Sequence, residues 1–154
     1  MFPIIPANSA TAASGNSEGI FGFGYVGGAG YSMTNLVSNT GVVSADVTGV
    51  GTAKEHMGAC SYGGDKGIFG FGNDGSVVST TNLVSNTGVV SSDVTGVGGA
   101  KHGPAACEYG GDKGIFGYGY TIDESNLVSN TGVVSSDVTG VGTARQYLAA
   151  CSFN

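Results

Sequence analysis

The chain has 154 residues, the length of one ordinary domain, and only 10% of them are charged. Its formal net charge is −6 and its five basic residues stand singly, so a nucleic-acid partner is not expected. No run of about 20 apolar residues occurs, so no membrane span is expected. A hydrophobic content of 40% argues against disorder, and 30 glycines favour short strands joined by tight turns.

A block of twenty residues that begins NLVSNTGVV is written three times, with differences at only three positions. The copies occupy 35–54, 82–101 and 126–145, so their first residues are 47 and 44 residues apart. A GIFGFG-like segment and an ACSY-like segment recur in phase with this block. Repetition at such a period indicates structural units arranged in series.

The segments of each unit predict four short strands. The repeated part of the sequence begins with the second strand of a unit. The first strand is exemplified by AACSY, and a GGD turn joins it to the second, KGIFGFG, because Gly tolerates positive φ. A loop that differs in every copy leads to the third strand, TNLVS, and an SNTG turn leads to the fourth, VVSSDVT. No segment has a helical period, so the predicted fold class is all-β.

Four-stranded units of about 40–50 residues are typical of β-propeller blades, with a β-solenoid as the alternative. The predicted units are 19–66, 67–113 and 114–154. Because three blades are too few for a ring, we expect two chains to close a six-bladed propeller as a homodimer. The last segment, 149–154, would then pair beside 19–24 and complete a blade of the other chain.

The order of residues within a unit resembles the kelch repeat, which has an Arg-started apolar strand, a Gly pair and an aromatic-rich strand ending in Gly. The matching residues here are Arg145, Leu148 to Cys151, Gly63, Gly64, Phe69, Gly70 and Gly72. The resemblance covers about 19–154. It departs from kelch where an aromatic residue splits the second Gly pair (GFG, GYG) and where the late Trp is missing. The near-identical copies and sparse charge are similar to kelch-like propeller proteins of phage genomes.

The segments that vary between copies are predicted to lie on one face, opposite the constant GGDK and SNTG turns. Binding residues concentrate in loops that a rigid scaffold carries. Tyr together with Asn and Asp suits a sugar ligand, because the Tyr ring stacks on the apolar face of the sugar and the carboxylate accepts hydrogen bonds from its hydroxyls. Each residue alone could equally be an ordinary solvated loop residue. The candidate ligand-binding residues are Tyr25, Tyr31, His56, Asn73, Asp74, His102, Tyr120, Asp123, Glu124 and Tyr147.

Few residues of the sequence are candidates for catalysis or metal binding. The three cysteines stand at equivalent positions of separate units, so each is interpreted as a small buried strand residue rather than a disulfide partner, ligand or nucleophile. The Asp of SDVTG, at 46, 93 and 137, is interpreted as an Asx turn rather than a calcium ligand. No metal site, cofactor or catalytic set is predicted, so the chain is not expected to be an enzyme. A kelch-type hydrolase or oxidase that uses His56 or His102 is the least favoured alternative.

Residues 1–18 lie outside the repeat and are predicted to form an extended anchoring arm, with Phe2, Ile4 and Ile5 as its apolar head. The segment has no basic n-region, so a secretory signal is not expected. The phage resemblance implies a structural protein of a virus particle, made in the host cytoplasm and held to other virion proteins by the arm. It would decorate the particle or bind host surface glycans. The alternative is a free, extracellular lectin-like propeller.

Overall fold

A computed structural model of the chain describes residues 17–153. The described residues form eight strands: β1 (Gly19–Val26), β2 (Ala29–Val37), β3 (Gly58–Tyr62), β4 (Lys66–Gly70), β5 (Thr81–Val84), β6 (Ala105–Tyr109), β7 (Lys113–Gly119) and β8 (Ile122–Val128). They contain no helix, so the all-β prediction is confirmed, and nothing in this range is a helix able to cross a membrane. The apolar head of the predicted arm, with Phe2, Ile4 and Ile5, lies outside the described residues.

The strands form three small antiparallel sheets, one for each repeat. By the predicted bounds β3 and β6 fall at the ends of 19–66 and 67–113, but each pairs in the sheet that follows, so each is counted here with the unit of that sheet. Their orders are β1-β2, β3-β4-β5 and β6-β7-β8. The predicted fourth strand is not a continuous strand in any unit. In the second unit it meets β5 only at two isolated bridges, Thr81 with Val94 and Val84 with Val90, and the other two units have the same pattern.

Side chains replace part of the missing ladder between the third strand and the fourth segment. In the second unit the amide of Asn82 donates to the carbonyl of Ser91 at 3.1 Å, and the backbone N–H of Leu83 donates to the Ser91 hydroxyl at 3.0 Å. Because these side chains occupy the space between the two backbones, the fourth segment is spaced away from β5 and cannot pair continuously with it. Asn and Ser are therefore repeated in every block for a structural reason.

An aromatic residue with positive φ lies within the second strand of the first and third units and directly after it in the second. Phe23, Phe71 and Tyr118 have φ of 61°, 63° and 64°, which is costly for a bulky side chain. In the first and third units the pairing register shifts at this point, as in a β-bulge. This is the residue that splits the second Gly pair of the kelch pattern.

Neighbouring units pack through glycines that leave room for a phenylalanine ring. A Cβ at Gly22 would lie 2.9 Å from the Phe69 ring, and one at Gly70 would lie 2.9 Å from the Phe116 ring. Phe116 is fully buried in a cluster with Tyr62 and Ile68. The first strands also meet, because β3 packs against β6 and β7. The core therefore lies between the sheets rather than within one of them.

A buried lysine also joins each unit to the next. Lys54 is fully buried, and its ammonium donates to the carboxylate of Asp93 at 2.7 Å and to Asn82 Oδ1 at 2.8 Å. The Thr52 backbone N–H and hydroxyl bind the other oxygen of Asp93. The Asx-turn interpretation is wrong for this aspartate, since its oxygens are occupied by the preceding unit and by Asn82.

Candidate functional site

The constant turns and the variable segments lie at opposite ends of the sheets. At one end the GGD and SNTG turns of a unit touch, with Asn86 donating to Asp65 at 3.3 Å and Asn130 to Asp112 at 3.2 Å. At the other end, the segments 54–57 and 101–104 pass from one unit to the next, and 145–148 is the equivalent segment after the third sheet. Each is fastened by a backbone bond from the glycine after the bulge: Gly24 to Lys54, Gly72 to Lys101 and Gly119 to Arg145, at 3.0, 2.8 and 3.0 Å.

The same position in all three connecting segments has a left-handed backbone. His56, Gly103 and Tyr147 have φ of 56°, 63° and 57°. Their backbones are linked in series, because the Gly103 N–H donates to the His56 carbonyl and the Tyr147 N–H donates to the Gly103 carbonyl, both at 3.0 Å. This conformation is strained for His and Tyr, so the surrounding backbone contacts must hold it at both positions.

Four rings gather over these segments, and we call Tyr25, His56, His102 and Tyr147 the aromatic column. The ring centres of His56 and His102 are 4.6 Å apart, and those of His56 and Tyr147 are 5.3 Å apart. His102 and Tyr147 meet edge to face at 5.7 Å, and Tyr25 stacks on His56 at 6.4 Å. The two tyrosines are well exposed. The three units therefore contribute to one continuous surface of rings.

Polar side chains orient the two histidines. Nδ1 of His102 lies 3.1 Å from Oε1 of Gln146. Because an amide oxygen only accepts hydrogen bonds, Nδ1 is the donor in this contact, and Nε2 is left for other partners. Nδ1 of His56 is 3.5 Å from a carboxylate oxygen of Glu55, whose second oxygen is buried and has no hydrogen-bond partner among the described residues. The described residues contain no cluster of three or more potential metal ligands.

The other candidate residues lie near this face but outside the column. Asn73 pairs with Glu55 through both backbone groups at 2.9 Å, and its side chain closes its own loop on Gly75. Asp74 likewise accepts from the N–H of Ser76. The Tyr120 N–H donates to the His102 carbonyl at 3.0 Å, and its ring is exposed. These three residues shape the loops; Asp74 and the Tyr120 ring are exposed, whereas Asn73 is half-buried.

Part of the predicted loop surface is strand. Tyr25 is in β1 and Tyr31 in β2, so the first variable segment is a hairpin whose turn is at Gly27 and Gly28. Asp123 and Glu124 lie in β8, half-buried. The loop interpretation of these four residues is wrong because the bulge ends the regular pairing early and the strands resume beyond it.

Sequence reasoning missed the residues that support the column. Counted from the basic residue of each unit, His56 matches Gly103 and Tyr147, whereas His102 matches Gln146, so the two histidines are one position out of step. A glycine at the position where the other units have His and Tyr is the available sign of a left-handed backbone. Gly103 is also needed sterically, because a Cβ there would lie 3.0 Å from the Tyr147 ring.

No protein-family model matches the chain, and no curated protein matches it.

Proposed function

We propose that the chain is a non-enzymatic structural and adhesion protein of a virus particle, which binds a host surface glycan through the aromatic column. The observation that carries the proposal is the convergence of Tyr25, His56, His102 and Tyr147 from three units onto one exposed surface. A neighbouring virion protein is the other partner that this surface could meet in the particle.

The chemistry of the column suits a sugar. Exposed aromatic rings offer flat apolar surfaces on which the C–H face of a sugar ring can pack, while the Tyr hydroxyls and His102 Nε2 can exchange hydrogen bonds with sugar hydroxyls. The contacts of His56 and Tyr147 with each other and with His102 restrict these rings before a ligand arrives. Preorganisation of this kind favours binding because less side-chain freedom is lost on association.

We further propose that the three units are blades and that two chains complete a six-bladed, kelch-like propeller. The packing of β3 against β6 and β7 supports this arrangement, because contact through the first strands is what wedge-shaped units around an axis would make. Residues 1–18 would anchor the ring to other virion proteins. Every copy would then present its column at the same end of the ring.

The binding proposal is tested by screening the purified chain on a glycan array and measuring the best ligand by calorimetry. Tyr147→Ala should weaken binding by about tenfold or more, since loss of a stacked ring costs about 1.4 kcal/mol. Tyr120→Ala is the matched control: its ring is 63% exposed, against 60% for Tyr147, but it stacks on none of the column rings in the described residues. An equal loss in both variants, or binding unaffected by Tyr147→Ala, would contradict the assignment.

The particle proposal needs a separate test, which is mass spectrometry of purified virions from an infected culture. Recovery of the chain with the capsid or tail, and its loss when 1–18 are deleted, would support attachment through the arm. Sugar binding without any association with particles would favour the free, extracellular lectin. Turnover of a substrate that depends on His56 or His102 would instead favour the hydrolase or oxidase.

A further inference from the structure

The junctions between units are built alike, so each outer end of the chain presents one half of such a junction. Asn82 with Asp93, and Asn126 with Asp137, form two carboxylate sockets that receive a lysine from the preceding unit. The two lysines, Lys54 and Lys101, are fully buried.

The first unit has the same socket, formed by Asn35 and Asp46, whose side chains are 2.8 Å apart. No lysine or arginine of the described residues binds it. At the other end of the chain, Arg145 occupies the position of the two lysines. Its guanidinium lies over the Tyr118 ring and donates to the Thr143 carbonyl, and it meets no carboxylate of the described residues. One end therefore has an acceptor without a cation, and the other end has a cation without an acceptor.

The phenylalanine–glycine contact that joins neighbouring units is likewise incomplete at both ends of the described chain. Phe116 packs on Gly70 of the preceding unit and is 0% exposed, whereas its equivalent Phe21 is 62% exposed. The glycine equivalent to Gly70 in the last unit is Gly117, and a Cβ there would meet only Ser125, at 3.9 Å. The first unit thus presents a ring, and the last unit presents the open glycine on which such a ring packs.

The pairing of the first and second strands is also incomplete at both ends of the described chain. β3 pairs with β4 and β6 with β7, placing Cys60 opposite Ile68 and Cys107 opposite Ile115. In the described residues, β1 pairs only with β2. Residues 149–153 match β3 and β6 in sequence but belong to no strand, and Phe153 is 92% exposed.

A cavity of about 440 Å³ lies beside the open edge of β1, where the missing strand would run. It is lined by Ile20 of β1 and by Ala59, Cys60 and Ser61 of β3. In the next junction, β3 itself occupies the equivalent space, because it packs against β6 and β7. The cavity is thus the space that a first strand fills elsewhere in the molecule.

We propose that a second copy of the chain docks head to tail on this end. Its Arg145 enters the socket of Asn35 and Asp46, its residues 149–153 pair along β1 with Cys151 opposite Ile20, and its Gly117 receives Phe21. The inference rests on the proposed closure of two chains into one ring, and it does not depend on glycan binding. Such an interface is heterologous, and two copies satisfy both of their ends when the rotation closes.

The competing occupant of the β1 edge is the chain's own segment 10–14. Its sequence, ATAAS, aligns with GACSY of β3 when the following GIFGFG segments are superposed. It offers no basic residue for the socket of Asn35 and Asp46, and it has neither the Cys nor the aromatic residue found in the other first strands. The second copy supplies all three, so we assign the edge to it.

The test is a charge exchange read by analytical ultracentrifugation over a range of concentrations. Arg145→Asp and Asp46→Arg should each weaken self-association by about 30-fold or more, because a buried ion pair loses one partner and gains a repulsive one. An equimolar mixture of the two variants should restore association, since each chain then meets its complement at both junctions. Asp74→Arg, a charge reversal in an exposed loop, is the control and should leave the mass unchanged.

Alkylation of Cys151, located by mass spectrometry, gives an independent readout. Cys151 is exposed in the single chain, so it should react quickly at low concentration and become protected as copies associate. Protection that is lost in Arg145→Asp supports the docking. A Cys151 that stays reactive in the associated state overturns the strand addition.

The outcomes separate this inference from the proposed function. A wild-type chain that stays monomeric overturns both the docking and the two-chain ring, while a positive glycan screen would still stand. A dimer unaffected by Arg145→Asp and Asp46→Arg overturns the docking and leaves the ring. A long polymer that Arg145→Asp abolishes supports the docking and overturns closure by two chains.

Discussion

Asp93→Asn removes one charge from the junction between the first and second units. The Lys54 ammonium is fully buried, and the carboxylate it meets at 2.7 Å is 26% exposed. Burial alone would raise the pKa of Asp93, but hydrogen bonds from Lys54, Thr52 and Asn82 hold it well below its ordinary value. The folded state therefore keeps the carboxylate ionised, and the substitution leaves a buried cation without its counter-charge.

The cost follows from the exposure of the two partners. Breaking a fully buried ion pair by removing one member costs about 3–5 kcal/mol. Here one partner reaches solvent, which screens part of the interaction, and Lys54 keeps its bonds to Thr80 and Asn82. We therefore expect the free energy of unfolding to fall by about 2 kcal/mol.

Urea unfolding followed by circular dichroism measures this loss, with equal m-values required for the comparison. Asp46→Asn is the matched control, because Asp46 occupies the same repeat position and no lysine reaches it in the described residues. Both variants are made in the Arg145→Asp background, so that association of copies does not contribute. A loss below about 0.5 kcal/mol for Asp93→Asn, or an equal loss for Asp46→Asn, would refute the reasoning.

Three further predictions concern acid, packing and thiol reactivity. The socket carboxylates have folded pKa values below the unfolded value of about 3.9, so their stabilisation is present above about pH 4 and is lost as the pH falls further; urea midpoints that stay constant from pH 6 to pH 2.5 would contradict this. Gly70→Ala should cost about 1–3 kcal/mol because its Cβ would lie 2.9 Å from a phenylalanine ring, whereas Gly117→Ala should be nearly neutral in the same Arg145→Asp background. Burial raises the pKa of the Cys60 thiol to about 12, so Cys60 should react with a thiol reagent at pH 8 much more slowly than the exposed Cys151, as peptide mapping after timed alkylation would show.

The strands could be predicted from the sequence because their causes are local. Ile and Phe alternate with Gly in GIFGFG, and GGD is a turn sequence, so the pairing of β3 with β4 follows from neighbouring residues. The failure of the fourth strand has a non-local cause. Asn82 reaches across to Ser91, nine residues away, and nothing in the strand propensity of VVSSDVT indicates that its backbone bonds will be replaced.

The sequence predicts the face on which the candidate site lies, but it does not predict which side chains contact each other there. Variation between copies located Tyr25, His56, His102 and Tyr147 among ten candidates, because loops free of packing constraints can vary. Which of the ten meet depends on the left-handed backbone at position 56 and its equivalents and on how closely the units pack. Both are properties of the junction between units, and sequence periodicity gives the length of a unit without the distance to the next one.

The junctions also explain why Asn and Asp stand at the same two positions of every block. The second block makes both halves of a junction, because Asn82 and Asp93 receive Lys54 while Lys101 reaches Asp137. Two of the three positions that differ between the copies lie at the junctions as well. Thr52 donates its hydroxyl to the next carboxylate at 2.7 Å, and where the second block has Gly99 that bond is lost and only the backbone N–H remains. The third block restores the threonine as Thr143, although no carboxylate of the described residues receives its hydroxyl.

That block also has an arginine in place of the lysine. An arginine is better suited than a lysine to an ion pair between separate chains, because its planar guanidinium binds a carboxylate through two hydrogen bonds at once and is more weakly hydrated. At the two internal junctions the cation needs less directional bonding to find the carboxylate, since the covalent chain already positions Lys54 and Lys101. Thr143 and Arg145 are thus the residues that a junction made between two molecules would require.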